Sequence, residues 1–298
     1  MSLRLKLFLG ASLVAILALL ITVTFMNFQS LEIIRENEQR EMRTIGDIIT
    51  TRLTDQIEAT RAITLSVALN QEVQRLFAER DRTGLIEMLL PVYEGVQGQY
   101  AQMQFHLPDS TSFLRLHQLD NYGDSLRDFR FTVNEANRTQ TMAAGLEEGR
   151  GGYGLRVVVP MSYKGTHIGS VEFGGNFGAA FLGALHEDLG GEFFIYQFSQ
   201  KSLAWDGQTV QDSGLLVGTA ESDLWPVDPS FIPGLQQGIT HYYLSEDKHS
   251  AVLLLPLRDF QNSIIGYLKV IQDRSHILSR TEQSRLYGYL LGLVAALV

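Results

Sequence analysis

The sequence contains no cysteine, which excludes disulfide frameworks, thiolate-bound zinc, iron–sulfur clusters and thiol nucleophiles. The fold therefore rests on packing alone. Proline is scarce, seven in 298 residues, and none falls between Phe28 and Arg80, so nothing in that stretch forbids one long helix. Basic residues are outnumbered, with 24 Lys and Arg against 33 Asp and Glu, a net charge of −9 and a pI near 5.3. No cationic excess remains to track a phosphate backbone, so nucleic acid is not an expected partner. Catalytic signatures are missing as well. There is no Gly-x-Ser-x-Gly elbow and no Walker loop, and the seven histidines never fall at His-x-x-x-His spacing. Gly149-x-Gly151-x-x-Gly154 has the letters of a dinucleotide motif, but it leads into an extended segment instead of a helix N-terminus, so it reads as a glycine turn. His106 and His117 face each other across an expected hairpin, yet satisfied or solvent-facing histidines are the commoner state of such pairs. Glu147-Glu148 has no acid–base partner in the sequence. No metal, no cofactor and no catalytic residue are expected, and an ectoenzyme is the minor alternative.

What is present in abundance is apolar sequence, 45% of residues, concentrated at the two ends. Residues 7–26 are uninterruptedly apolar, about the ~20 residues that cross a bilayer core. Arg4 and Lys6 precede this run and Glu32, Glu36 and Glu38 follow it, so the positive-inside rule puts residues 1–6 in the cytoplasm and the bulk of the chain outside. A signal peptide would have a shorter apolar region and a small-x-small cleavage site; Thr24-Phe25-Met26-Asn27-Phe28 offers none, which favours an uncleaved anchor. Residues 286–298 are apolar again but too few to cross alone. The expectation is a second, truncated span in residues 276–298, with whatever follows it back in the cytoplasm.

Between these ends, apolar residues recur at Leu31, Ile34, Met42, Ile45, Ile49, Leu53, Ile57, Ile63 and Val67, mostly three or four apart, which predicts a long helix over residues 27–80. Its apolar stripe needs a partner helix in a dimer, a sheet, or both. A short helix is predicted over 84–96, strands over 100–107 and 112–117 joined by Pro108-Asp109-Ser110, a helix over 124–138, and strands over 144–147, 155–163 and 167–173. The order then returns: helix 181–189, strands 192–198 and 202–205, a helical piece 231–237, and strands 241–244, 251–257 and 264–271. Val157-Val158-Val159-Pro160 with Gly169 matches Leu253-Leu254-Leu255-Pro256 with Gly266 at an offset of about 96 residues, which points to two related modules, 81–177 and 178–275. The predicted class is α+β: a long N-terminal helix carrying two PAS-like antiparallel-sheet modules, flanked by transmembrane helices.

The stretch from Gln104 to Gly174, with FHLPDSTSFLRLHQLDNYGDSLRDFRF followed by GLEEGRGGYGLRVVVPMSYKGTHIGSVEFG, resembles the double-Cache sensory ectodomains of bacterial methyl-accepting chemotaxis receptors. The likeness implies a homodimeric receptor in the bacterial inner membrane with a periplasmic or extracellular sensor, small-molecule binding in the membrane-distal module, no catalysis in the ectodomain, and a cytoplasmic signalling domain beyond residue 298. Sensor histidine kinases and diguanylate cyclases carry the same ectodomain class, so the output remains open between them.

The pleat of residues 112–117 places Phe113, Arg115 and His117 on one face and Leu114 and Leu116 on the other, toward the long helix. Arg115 and His117 then face the predicted 124–138 helix, from which Arg127 or Arg130 reaches in. Guanidinium groups and an imidazole around a small cavity suit a carboxylate or similar anion. The expected ligand-binding residues are Arg115, His117, Arg127, Arg130, Phe105, Tyr122, Glu147 and Glu172. Other readings stand open: Arg115 as a structural arginine paired with Glu172 or Glu147, aromatics such as Phe105 and Tyr122 as core, and the whole region as a non-binding module that dimerises or docks a partner protein. The second module shows no comparable polar cluster, and no ligand is expected there.

Overall fold

The computed structural model describes residues 2–150, 152–199, 214–223 and 225–297. Helix α1 runs Leu3–Ala68, α2 Gln71–Ala78 and α3 Arg82–Val96. The long helix thus stops before the predicted residue 80. Asn70 ends it by accepting hydrogen bonds from the backbone N–H groups of Glu72 (2.9 Å) and Val73 (3.2 Å), capping α2. The sequence disguised this break because Val67, Val73, Leu76 and Phe77 keep an apolar period across it. Asp81 caps α3 in the same manner through Gly84 N–H at 2.9 Å.

Strands β1 (Tyr100–His106), β2 (Ser112–Arg115), β3 (Ala143–Gly149), β4 (Gly152–Tyr163) and β5 (Thr166–Gly175) form a five-stranded sheet of order β2-β1-β5-β4-β3, antiparallel at every pairing. Helix α4 (Phe131–Thr139) lies between β2 and β3 in sequence and α5 (Ala179–Leu189) follows β5. Then come β6 (Glu192–Gln197), β7 (Leu215–Gly218), a short 3-10 turn (Pro229–Phe231), α6 (Ile232–Gln236), β8 (His241–Leu244), β9 (Ser250–Arg258), β10 (Ile264–Asp273) and α7 (Ser275–Leu297). The second sheet has the order β7-β6-β10-β9-β8, the first permutation repeated. The internal repeat is therefore one of topology, and the α+β class with a long N-terminal helix and two sheets is what the chain adopts. The strand expected at 202–205 lies outside the described residues, and β7 was not anticipated.

The helix predicted over 124–138 forms only from Phe131 onward. Residues before it are held extended by backbone pairing, with Gly123 N–H donating to Ser112 O (2.8 Å), Ser112 N–H to Asp124 O (3.0 Å) and Leu126 N–H to Ser110 O (3.0 Å). Tertiary pairing here outweighs the helical spacing of Leu126, Phe129 and Val133.

The chain divides into two compact units: residues 46–241 with 253–270, and residues 1–45 with 242–252 and 271–298. In the larger, one face of the first sheet carries Met103, Phe105, Leu114, Val157, Val159, Val171 and Phe173 into a core shared with Val67 of α1, Val73 and Phe77 of α2, and Leu85 and Leu89 of α3. In the smaller, Glu38, Met42 and Ile45 are the buried face of α1. Among the described residues one helix, α1, is long and apolar enough to cross a membrane, by length and composition.

Candidate functional site

The face of the first sheet turned away from that core is polar, because alternation sends Gln104, His106, Ser170, Glu172, Arg156 and Glu147 to the same side as Val158 and Ala143, which pack under α4. These charges are buried: Arg156 is 1% and Glu172 0% exposed. Burial at that level is tolerable only with partners, and the partners are complete. Glu172 takes Arg130 Nη2 at 2.5 Å, Arg156 Nη1 at 3.0 Å and Gln104 Nε2 at 3.1 Å. Arg130 Nε donates to Glu147 at 2.9 Å. Glu147 also accepts from Thr132 N–H (2.8 Å) and Thr132 Oγ1 (2.6 Å), so a β3 carboxylate caps the N-terminus of α4, whose own N-cap position is Arg130. Arg156 further donates to Gln102 Oε1 (2.5 Å) and to the carbonyls of Glu147 (3.2 Å) and Gly152 (3.1 Å). The result is a quadrupole of two guanidiniums and two carboxylates.

The electrostatics follow from that arrangement. Burial pushes the Glu172 carboxyl up, but Arg130 and Arg156 beside it hold it well below the usual carboxylate range. Burial lowers the Arg130 guanidinium, and Glu172 and Glu147 more than reverse this; Arg156, buried and next to Arg130, stays below its ordinary value. His106 lies 3.6 Å from Glu172 and 3.2 Å from Ser170 Oγ, and burial pushes it down to about 3 despite the carboxylate. His117, whose ring approaches Met103 O at 3.4 Å, is lowered to about 4, again by burial. Both imidazoles are neutral at pH 7. Among the described residues no group of three or more His, Asp or Glu is placed to hold a metal.

Of the residues predicted for the site, Arg130, Glu147 and Glu172 meet in this cluster. Arg115 sits on the same face but pairs with Asp124 (2.7 and 3.0 Å) and with the Asn121 carbonyl (2.8 Å), where the sequence pointed to Glu172 or Glu147. These bonds tie the end of β2 to the 121–124 loop. His117 falls after β2, which ends at Arg115. Arg127 is exposed, its Nε donating to Asp109 O at 2.8 Å, so it does not reach in from above. Tyr122 is 56% exposed and lies under Arg82, 4.1 Å from ring centroid to guanidinium. Phe105 faces the opposite side of the sheet, edge-on to Phe77 at 5.2 Å.

Arg156 escaped the sequence reading because it stands in an apolar strand, but its surroundings carry a signal. A Cβ at Gly149 would lie 2.6 Å from Arg156 Nη2, and at Gly174 3.4 Å from Nη1. The glycine-rich β3–β4 hairpin makes room for the guanidinium; the residue at 151 within the motif lies outside the described residues.

The second sheet also has a buried charge, a single ion pair and not a cluster like that of the first. Lys269, 0% exposed, bonds Asp223 at 2.6 and 2.8 Å and the Trp225 carbonyl, and Tyr196 OH donates to Asp223 at 2.5 Å. Burial lowers the Lys269 ammonium, opposed by Asp223. Lys269 stands three residues after Gly266 on β10, as Glu172 stands three after Gly169 on β5. The two modules thus place a buried charge of opposite sign at the same position of the same strand.

The family model described as the double sensory domain of two-component sensor kinases, a double-Cache family, matches residues 35–277. The chain belongs to this family. No curated protein sequence matches it. Among solved structures, the extracellular domain of the putative histidine kinase vpHK1S-Z8 is 14% identical with a TM-score of 0.51, covering 81% of this chain and 97% of that one. The sensory domain of the Campylobacter jejuni chemoreceptor Tlp3 is 12% identical, TM-score 0.51, covering 84% and 97%. Its isoleucine-bound form is 12% identical, TM-score 0.50, covering 84% and 96%. These likenesses establish the fold, and they span both chemoreceptors and kinases.

Proposed function

We propose that this double sensory domain is the extracytoplasmic part of a dimeric, membrane-anchored receptor, which binds a small molecule outside the cell and signals inward through α1 and α7. The observation that carries the reading is the buried, fully partnered charge cluster roofed by α4. A pure spacer gains nothing from ions that cost several kcal/mol each to desolvate, whereas a sensor needs a polar interior whose pairings a ligand can alter. The exposed Val14, Leu20, Ile21 and Phe25 of α1 suit lipid contact. The same fold in the Campylobacter jejuni receptor takes isoleucine, which supports a small charged organic ligand.

A chemoreceptor output is the reading favoured from the sequence resemblance; a kinase output is favoured by the description of the family. An anionic ligand at Arg130 and Arg156 would enter by exchange for Glu147 or Glu172, since each guanidinium already holds a carboxylate. The test is a thermal-shift screen of the chain in detergent against small carboxylates, amino acids, amines and purines. A saturable rise in Tm supports the receptor reading. If that rise survives in the folded Arg115→Ala variant, Arg115 serves the 121–124 loop and not the ligand. Absence of any hit favours the docking or spacer alternative.

A further inference from the structure

In the larger unit, a cleft of about 350 Å³ lies where the start of β4, the start of α5 and strand β7 meet. It is lined by Gly152 and Tyr153 of β4, by residues 176–180, and by Leu216 and Val217 of β7. None of these lining residues is charged. Small-molecule sites occupy about 300–1,000 Å³, and a cavity of ~150 Å³ already admits a benzene-sized molecule. The cleft therefore has room for one or two rings.

Its walls are fixed by the fold. Gly152 and Gly178 have φ of +85° and +88°, the region that favours glycine, and a Cβ at Gly178 would stand 3.9 Å from Val217 Cγ1. Phe177 is held by stacking on Phe181, with centroids 5.7 Å apart and planes at 22°. Asn176 donates from Nδ2 to the Gly98 carbonyl at 2.9 Å, and its own carbonyl accepts from Gln56 Nε2 at 2.7 Å, which leaves Oδ1 as an acceptor. Gly178, at the N-cap of α5, makes no side-chain cap, and the first turn carries no acidic residue. The N–H groups of Ala179 and Ala180 remain donors beside the rings.

We propose that this cleft is a second binding site, for a small uncharged aromatic molecule that carries a hydrogen-bond acceptor, such as an aromatic amide. The rings of Tyr153 and Phe177 offer aromatic contact, and the backbone donors meet the acceptor. An ammonium would face those donors with no carboxylate in the lining. A carboxylate would find no Lys or Arg there, and the charges felt at Tyr153 are those of Glu148 and Asp259, which after burial raise its hydroxyl above the ordinary value. The site goes beyond the receptor reading above, because it lies apart from the ion pairs under α4. One contact joins the two: Arg156 Nη2 donates to the carbonyl of Gly152, a wall of the cleft, at 3.1 Å. On the other side, Tyr153, Phe177 and Leu216 also border a hollow of about 10 Å³ that reaches Gly266 of β10. A molecule in the cleft thus bears on both sheets at once.

The test uses the full chain in lipid nanodiscs, titrated calorimetrically with benzamide and quinoline, with empty nanodiscs subtracted. Benzoate, benzylammonium and cyclohexanecarboxamide are the size-matched controls for charge and for aromaticity. Expected is saturable binding of benzamide or quinoline, at least about tenfold tighter than any control, and weakened at least about tenfold by Ala180→Phe and by Val217→Phe, which fill the cleft. Ala180 is exposed and Val217 half-buried; a variant with a lowered Tm is set aside and the other decides. Binding that the folded variants leave intact places the site elsewhere and overturns the proposal while the receptor reading stands. A control that binds as tightly as the uncharged aromatics overturns the ligand class, and with it the proposal. Hits in the wider screen of carboxylates, amino acids, amines and purines, without any benzamide or quinoline binding, also overturn it and leave the receptor reading intact. No binding by any member of either panel overturns the proposal and counts against the receptor reading together.

Discussion

The unit of interest at the residue scale is a buried ion rather than an exposed one, and the two arginines of the first sheet test the difference. Arg156 faces Glu172, whose side chain is fully buried, so Arg156→Leu leaves Glu172 with an uncompensated share of its charge; a loss of about 3–5 kcal/mol is expected. Arg115→Ala exposes Asp124, already 31% accessible, to water that can replace the lost partner, so about 1–2 kcal/mol is expected. Urea denaturation of the two variants ranks them, and equal losses would contradict the account. The same cluster sets a pH dependence. His106 has a folded value of about 3 against an ordinary 6.5, so below pH 6.5 the unfolded chain takes up a proton that the folded chain refuses. Stability therefore falls on acidification through this window, by up to about 1.4 kcal/mol per pH unit for that one group. His117 acts in the same direction down to about 4. Glu172, depressed when folded, contributes stability above pH 4.5 that is lost below it. Comparing Tm at pH 7.5 and 5.5, His106→Gln should show a smaller drop than the wild type, and an equal drop would remove His106 from the explanation.

Elements were more legible than their charges. Helical and strand periods located α3, the β1–β2 and β4–β5 hairpins of the first module and the closing hairpin of the second, because one-sided burial writes its period into the sequence. The errors arose where tertiary bonds replace local preference: Asn70 interrupts a continuing apolar period by capping, and Ser110 and Ser112 hold residues 123–126 extended. The site was legible only in part. Arg130 could be singled out as a charge on an apolar-patterned segment, whereas Arg156 sits inside an apolar run and announces itself only through the glycines that clear its path. Lys269 was hidden similarly, and its partner Asp223 lies far off in sequence. The repeat itself makes a testable statement. Gly169 has φ +130°, and a Cβ there would collide with the His106 carbonyl oxygen, while one at Gly266 would collide with that of Tyr196. Each glycine lets a neighbouring strand approach at the equivalent place in its sheet. Gly169→Ala and Gly266→Ala should therefore both be severe, costing more than about 3 kcal/mol. Gly183→Ala, on α5 with nothing within 4 Å of its Cβ, should instead be neutral or slightly stabilising. Soluble yield and Tm of the three variants check this.

At the scale of the whole molecule, a receptor of this kind must join the helix that enters the sensor to the one that leaves it. The N-terminal part of α1, up to Ile45, and α7 belong to the smaller unit. There Arg274, at the start of α7, pairs bidentately with Glu38 of α1, with Nη2 to Oε2 at 2.8 Å, and also holds the Lys248 carbonyl. The side chains are only 8% and 4% exposed, and the glutamate raises the guanidinium pKa further. Further along, α7 lies close enough to α1 that a Cβ on Gly288 would be 3.8 Å from Val23 and Asn27. One buried ion pair thus fixes the register of two helices at the point where the last strand gives way to α7. Loosening it should free the helices from each other more than it unfolds either sheet, because no apolar core residue is removed. The chain's lack of cysteine allows the test without background labelling: spin labels at Ile33→Cys and Ser279→Cys, both exposed, report the α1–α7 distance by pulsed resonance. The wild type should give a narrow distribution and Arg274→Ala a broad one, with far-ultraviolet dichroism unchanged. A distribution as narrow in the variant as in the wild type would mean that the packing of α7 on α1, and not this pair, sets the register. A ligand-driven signal would then have to pass through that packing.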